Sequence, residues 1–170
     1  YLYGEKIDDK GTMIYEKDDE KNIFFHHYAE NPKFHHVKIN DIFKENKEFH
    51  IAENIEGNTA LHVSLYTGDL SLFRLIQNSE GILQYYSIRW NSEHLNFLGT
   101  AVKCQPSLIS DDDLIEMIEK CENATAIRNN VGQISLSQVD RHGNTILHHA
   151  VKNDRCKLIT FLATKAVNAK

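Results

Sequence analysis

The sequence predicts an all-α fold, a solenoid of about four helix-turn-helix units joined by β-hairpin or finger loops. Three observations predict it. The string G-N-T-x-L-H occurs twice, at Gly57–His62 and at Gly143–His148. The apolar residues that follow keep the same offsets: Leu70, Leu72, Phe73, Leu75 and Ile76 after the first, Cys156, Leu158, Ile159, Phe161 and Leu162 after the second. Self-similarity at a fixed spacing marks a stacked-repeat architecture. Only two prolines, Pro32 and Pro106, interrupt the 170 residues, which suits a mainly helical chain.

Residues 1–17 lie outside the repeats. Asp8-Asp9-Lys10-Gly11, set between Ile7 and Met13, has the composition of a turn. The segment either caps the first repeat, whose apolar end needs cover, or ends a preceding domain. A start at Tyr1 in place of Met predicts a piece of a longer chain. The repeat domain is expected over 18–170, with units at about 18–53, 54–90, 91–121 and 140–170.

In the first unit Lys21–Ala29 aligns with the G-N-T-x-L-H stretch, placing His26 where His62 stands and Ile23 where the threonine stands. In the second, Thr59 caps the first helix, Gly68-Asp69 turns the chain, and the second helix carries apolar residues at helical spacing. Gly81–Trp90 then connects to the third unit, its aromatic residues filling space under an irregular link. In the third unit, Leu95–Val102, Asn96 takes the capping position and Gly99 replaces the histidine. An extended turn over 105–109 precedes a helix capped by Ser110, with Asp111, Asp112 and Asp113 in its first turn, where negative charge suits the helix dipole. Residues 122–139 form the longest insertion. Asn129–Gly132 reads as a turn and Gln133–Val139 alternates like a strand, so an enlarged finger and a plain surface loop are both open. The fourth unit repeats the second, with Thr145 as its cap. The marker positions 26, 62, 99 and 148 are separated by 36, 37 and 49 residues.

These residues resemble the ankyrin repeat, D-x-x-G-x-T-P-L-H-x-A followed by an apolar helix. The resemblance covers roughly 18–170 and is strongest in the second and fourth units. The proline of the pattern is absent, its place taken by Phe24, Ala60, Phe97 and Ile146. Ankyrin units run at about 33 residues, so each spacing here includes an insertion. Divergent, insertion-bearing repeats rich in Asn, Lys and Ile look like those of bacterial effectors and viral ankyrin proteins that act on host proteins.

Composition sets the function classes. Hydrophobic residues make up 41% and charged residues 25%, ordinary for a globular chain. Net charge is −5 and the pI about 6.0. No basic stripe of the nucleic-acid-binding kind occurs, and the acidic balance disfavours an anionic membrane or polyanion partner. No apolar run approaches the roughly 18 residues of a membrane span. Cys104, Cys121 and Cys156 are odd in number and form no C-x-x-C, which predicts reduced thiols and a cytoplasmic setting, the host cytosol for a secreted effector. The sequon Asn123-Ala124-Thr125 would go unused there.

Few residues are spaced for catalysis or metal binding. The pairs His26-His27, His35-His36 and His148-His149 are adjacent, whereas helical zinc ligands converge at i,i+4. His26, His62 and His148 are explained by the repeat, where the resemblance implies hydrogen bonds between neighbouring units. His27, His35, His36 and His149 are expected at the surface or at boundaries. Successive carboxylates such as Asp111–Asp113 diverge on a helix and cannot share one ion. Cys104 lacks an oriented base, and Cys156 is expected to be packed. No phosphate loop or G-x-S-x-G motif occurs. The expectation is therefore a non-enzyme with no cofactor and no metal.

The resemblance implies a monomeric module that binds a protein through its finger tips and the exposed face of each first helix. Carried onto this sequence, the candidate positions are Ile55, Glu56, Asn58, Tyr66 and Thr67 in the second unit. They are Ser92, Glu93, Lys103 and Cys104 in the third, and Arg141, His142, Asn144, Lys152 and Asn153 in the fourth. Glu30 and Asn31 are the positions in the first. Tyr66 is the expected hot spot, a tyrosine on a polar helix face. Two alternatives stand beside it: a recruiting domain of a larger enzyme or effector, and a substrate for asparaginyl hydroxylation at Asn168.

Overall fold

The computed structural model describes residues 6–7, 13–14, 17–30, 52–78, 82–83, 86, 89–126 and 138–168. Strands β1 (Lys6–Ile7) and β2 (Met13–Ile14) pair antiparallel, Lys6 opposite Ile14 and Ile7 opposite Met13, on either side of the expected turn. The described helices are α1 (Phe24–Glu30), α2 (Ala60–Tyr66), α3 (Ser71–Ile76), α4 (Phe97–Lys103), α5 (Asp111–Ala126), α6 (Ile146–Lys152) and α7 (Cys156–Asn168).

They form two layers. The short helices that follow each marker stretch stack in sequence order, α1 on α2, α2 on α4 and α4 on α6. Behind them α3, α5 and α7 each pack on the inner helix of their own repeat, and α5 packs on α7. One continuous core runs between the layers, from Phe25 through Leu61, Leu65, Phe97, Leu98 and Val102 to Leu158 and Leu162. Phe73 and Phe97 stack within it, ring centroids 6.3 Å apart.

Local chemistry sets where each inner helix begins. Thr59, Asn96 and Thr145 stand at N-caps in extended backbone. The Asn96 side chain accepts from Gly99 N–H at 2.9 Å, and Thr145 Oγ1 accepts from His148 N–H at 3.4 Å. Such caps satisfy donors that a helix start leaves over. Gly68, at φ +78°, ends α2, and its equivalent Asp154, at φ 53°, ends α6. Ser110 caps α5, its hydroxyl accepting from Asp113 N–H at 3.2 Å.

Several expectations change. Helix α5 runs on to Ala126, so the first part of the 122–139 insertion is helix. Residues 127–137, which hold the expected turn and most of the expected strand, lie outside the described residues, as do Asn31, His35, His36 and the stretch where the second helix of the first unit is expected. His149 is buried and Cys156 is exposed, the reverse of what each was assigned. The aromatic-filler reading of the 81–90 connection holds for Tyr86, which is fully buried.

Candidate functional site

Four finger turns are built alike, each around an Asp or Asn. The Oδ1 atoms of Asp18, Asn54, Asn91 and Asp140 each accept two backbone N–H bonds, from the residues two and four positions on, at 2.7–3.0 Å. The residue three positions on lies in the left-handed region in every finger: Lys21, Gly57, His94 and Gly143. Neighbouring fingers are joined by one backbone bond each. Ile55 N–H donates to Glu20 C=O at 2.7 Å, Ser92 N–H to Glu56 C=O at 2.8 Å, and Arg141 N–H to Glu93 C=O at 3.0 Å.

The marker histidines tie a finger to the helix beside it. His26 Nδ1 accepts from Ile23 N–H at 3.1 Å. That role places the ring proton on Nε2, which donates to Asn58 C=O at 2.8 Å. His62 repeats this, with Nδ1 against Thr59 N–H and Oγ1 and Nε2 donating to Leu95 C=O at 3.2 Å. Burial outweighs that carbonyl and lowers the His62 pKa to about 4. Asn54 and Asn91 add carboxamide bonds to Asn22 and Asn58 across the same two interfaces, at 3.1 and 3.0 Å.

Beside this framework, predicted contact residues from three repeats meet in one exposed cluster. Tyr66 Oη donates to Glu93 Oε2 at 3.4 Å and accepts from Asn91 Nδ2 at 3.1 Å. Lys103 Nζ reaches the same Glu93 oxygen at 2.6 Å, and Arg141 lies 3.8 Å from its other oxygen. Arg141 Nε in turn donates to His142 Nε2 at 3.1 Å. The Lys103 ammonium holds Glu93 below the usual carboxylate range. Partial burial and the adjoining Glu93 push the Tyr66 phenol up to about 12. Tyr66 still presents 39% of its surface. It is thus both exposed and tied to the next finger, so its helix face supplies more packing than the sequence suggested.

The other candidates divide. Ile55, Glu56, Ser92, Lys152 and Glu30 are exposed. Asn58 is buried, its carboxamide held between Glu56 and Asn91. Cys104 is buried beneath Tyr66, and burial pushes its thiol pKa up. Asn144 holds the finger carboxylate of Asp140. Thr67 and Asn153, which are equivalent positions, bond back to the preceding inner helix, Thr67 Oγ1 to Ala29 C=O at 3.3 Å and Asn153 Nδ2 to Val102 C=O at 3.0 Å. Asn58, Thr67, Asn144, Asn153 and Cys104 therefore serve the stack, because polar groups at a repeat boundary find backbone partners there.

Three features escaped the sequence reading. Arg155 is fully buried and donates to Val102, Ile109 and Cys104 carbonyls at 3.1, 2.8 and 2.6 Å, with Asp111 at 3.3 Å. The aspartate triplet stitches the outer layer. Asp111 Oδ2 accepts from Lys157 and Leu158 N–H at the start of α7, Asp112 pairs with Lys157, and Asp113 pairs with Arg74 of α3. Asp18 with His27 and Asp140 with His149 form equivalent hydrogen-bonded pairs, both at 2.9 Å. Burial raises the pKa of both carboxylates, but the N–H donors and the histidine outweigh it and leave them depressed. The D…H-H spacing shared by the first and fourth units was the signal that could have found these pairs.

Among the described residues no group of three His, Cys, Asp or Glu side chains could hold a metal ion. No described helix is long and apolar enough to cross a membrane. No protein-family model matches the chain, and no curated protein matches it in sequence. Among solved structures it is similar to an ankyrin repeat domain from Acinetobacter baumannii, at 14% identity and a TM-score of 0.63, over 91% of this chain and 70% of that one. Paired helices in two layers, finger turns joined edge to edge, and this likeness together make the fold an ankyrin-repeat solenoid.

Proposed function

We propose that the chain is a protein-binding module that carries out no chemistry of its own, and that its partner docks on the cluster formed by Tyr66, Glu93, Lys103, Arg141 and His142, with the exposed Lys152 at the position on its inner helix that Tyr66 and Lys103 hold on theirs. The observation that carries this reading is the bridging of side chains from three successive repeats through one carboxylate, Glu93. Tyrosine and arginine are among the residue types enriched where binding energy concentrates at interfaces, and here Tyr66 and Arg141 meet one carboxylate. The surrounding charges are mixed in sign, which suits a polar protein surface and sets register and on-rate more than bulk affinity. Ile55, at 63% exposure, extends the surface toward the second finger tip.

The test is an affinity capture from cell lysate, read by mass spectrometry, with the wild type and a Lys103→Ala, Arg141→Ala double variant. Both positions are exposed ion-pair partners, so each loss costs at most about 1 kcal/mol of stability. A prey held by the wild type and lost from the double variant at unchanged Tm supports the reading. Equal capture by both moves the binding site elsewhere.

A further inference from the structure

We propose that the end of the stack formed by α6 and the fourth finger is a docking surface for one more repeat of the same kind, joined C-terminal to α7. Inner-helix positions that are buried in the first three repeats are bare in the fourth. Phe25 and Ala29, Leu61 and Leu65, and Leu98 and Val102 are all buried. Their equivalents Leu147 and Val151 are 41% and 57% exposed. A terminal repeat that closes a solenoid carries a polar outer face, and this one keeps the apolar pair.

The polar groups at the same end are set for the same occupant. His148 Nδ1 faces Thr145 N–H and Oγ1 at 3.1 and 2.8 Å, so the proton stands on Nε2, as in His62. In His26 and His62 that proton goes to a finger carbonyl of the next repeat. No described residue meets it in His148. The His142 carbonyl occupies the position of Glu20, Glu56 and Glu93, each of which accepts an N–H from the next finger, and no described N–H reaches it. The Asn144 carboxamide stands where those of Asn22 and Asn58 accept from the next finger's asparagine. The occupant must therefore bring a finger N–H, a finger C=O and an apolar helix in one rigid unit, which is a repeat of this fold.

A second copy fits less well. Stacked tail to tail it would offer a helix whose carbonyls are already bonded, and no finger N–H. Stacked head to tail it would offer α1, whose described apolar side chains Ile23, Phe25, Tyr28 and Ala29 are already buried. Covalent order fixes the source. At each internal interface the covering repeat follows the covered one in sequence.

The test extends the full chain after Lys170 with a copy of its own residues 54–90. Thermal melting, amide hydrogen exchange of α6 and the His148 Nε2–H signal in NMR are compared with the unextended chain. A Tm higher by about 5 °C or more is expected, from burial of two aliphatic side chains in a chain of this size. Slowed α6 exchange and a protected Nε2–H are expected with it. The Leu147→Lys, Val151→Lys pair should abolish the gain while leaving the Tm of the unextended chain within about 2 °C, because both side chains are exposed there. Unchanged melting and exchange in the extended chain would overturn the proposal. So would an added repeat that stays unstructured, since the same finger and inner helix fold when stacked on α1. A concentration-dependent dimer of the unextended chain that protects α6 would also overturn it, making the occupant a second copy.

Discussion

Lowering the pH from 7 to 4 should destabilise this stack chiefly through one buried imidazole. His62 is fully buried between Thr59 and the Leu95 carbonyl, and its Nδ1 is already an acceptor. Protonating it would turn that acceptor into a donor facing the Thr59 N–H, inside a low-dielectric core. Burial accordingly lowers its pKa from 6.5 to about 4. The sign follows from linkage. The unfolded chain binds the proton first, so the stabilisation is fully present above 6.5, fades as pH falls, and is gone below about 4. At about 1.4 kcal/mol per pH unit the whole loss is about 3 kcal/mol. His26, also lowered by burial, adds to it in the same direction. The depressed carboxylates of Asp18 and Asp140 act only lower, as pH falls below their ordinary 3.8. Urea unfolding of the wild type and of His62→Gln at half-unit steps from pH 7 to 4 isolates the effect. Gln can accept and donate at the same helix position and does not titrate. The wild-type curve should fall by about 3 kcal/mol more than the variant's over that range. Parallel curves would refute the assignment of the acid sensitivity to His62.

His94 and Lys21 hold left-handed backbone where the other two fingers use glycine, so His94→Gly should raise stability by about 0.5–1 kcal/mol in urea titration. Arg155→Met should cost about 3 kcal/mol in thermal melting, because it strands the buried Cys104 and Ile109 carbonyls and takes one donor from Val102, which keeps Asn153, and from Asp111, which keeps two N–H groups. Arg155→Lys should not rescue it, since one ammonium cannot span four acceptors. A maleimide added to the native chain and read by intact mass should label Cys156 alone, because Cys104 and Cys121 are buried with thiol pKa values pushed up by burial.

The inner layer was legible in the sequence, and much of the outer layer was not. A finger turn and a capped inner helix depend on residues within a dozen positions of one another. G-N-T-x-L-H therefore announced the caps at Thr59 and Thr145, the histidine links, and even the Asn96 cap in a unit that had lost its histidine. The candidate cluster was half legible. Tyr66, Glu93, Lys103 and Arg141 were found from repeat position, but their convergence on one carboxylate depends on how far each repeat turns against the next. Asn58, Thr67 and Asn153 bond within the stack, which the sequence did not reveal, because a polar side chain at a repeat boundary has the same sequence signature whether it faces a partner or a neighbouring carbonyl. Arg155 was missed for a related reason. Burying arginine is costly unless its donors are met, and its acceptors, the carbonyls of Val102, Cys104 and Ile109, are backbone atoms that no residue identity reveals.

The third interface shows how a repeat can lose its marker and still stack. Gly99 stands where the linking histidine should be, and Leu95 replaces the asparagine that pairs with the next finger. A Cβ on Gly99 would come within 2.9 Å of Leu95 Cδ2, so a side chain restored there would require Leu95 to shift. The ties move to the far ends of the helices. Asn153 and Arg155 grip the carbonyls that end α4, Asp111 caps α7, and Arg141 keeps the finger bond to Glu93. Polar linkage thus passes from the finger side to the turn side at this boundary, and Lys103 is left on the finger side with its ammonium against Glu93. The exposed cluster spans this boundary and the one before it: Tyr66 reaches Glu93 across the second interface, where His62 keeps its buried link, and Arg141 reaches the same carboxylate across the third.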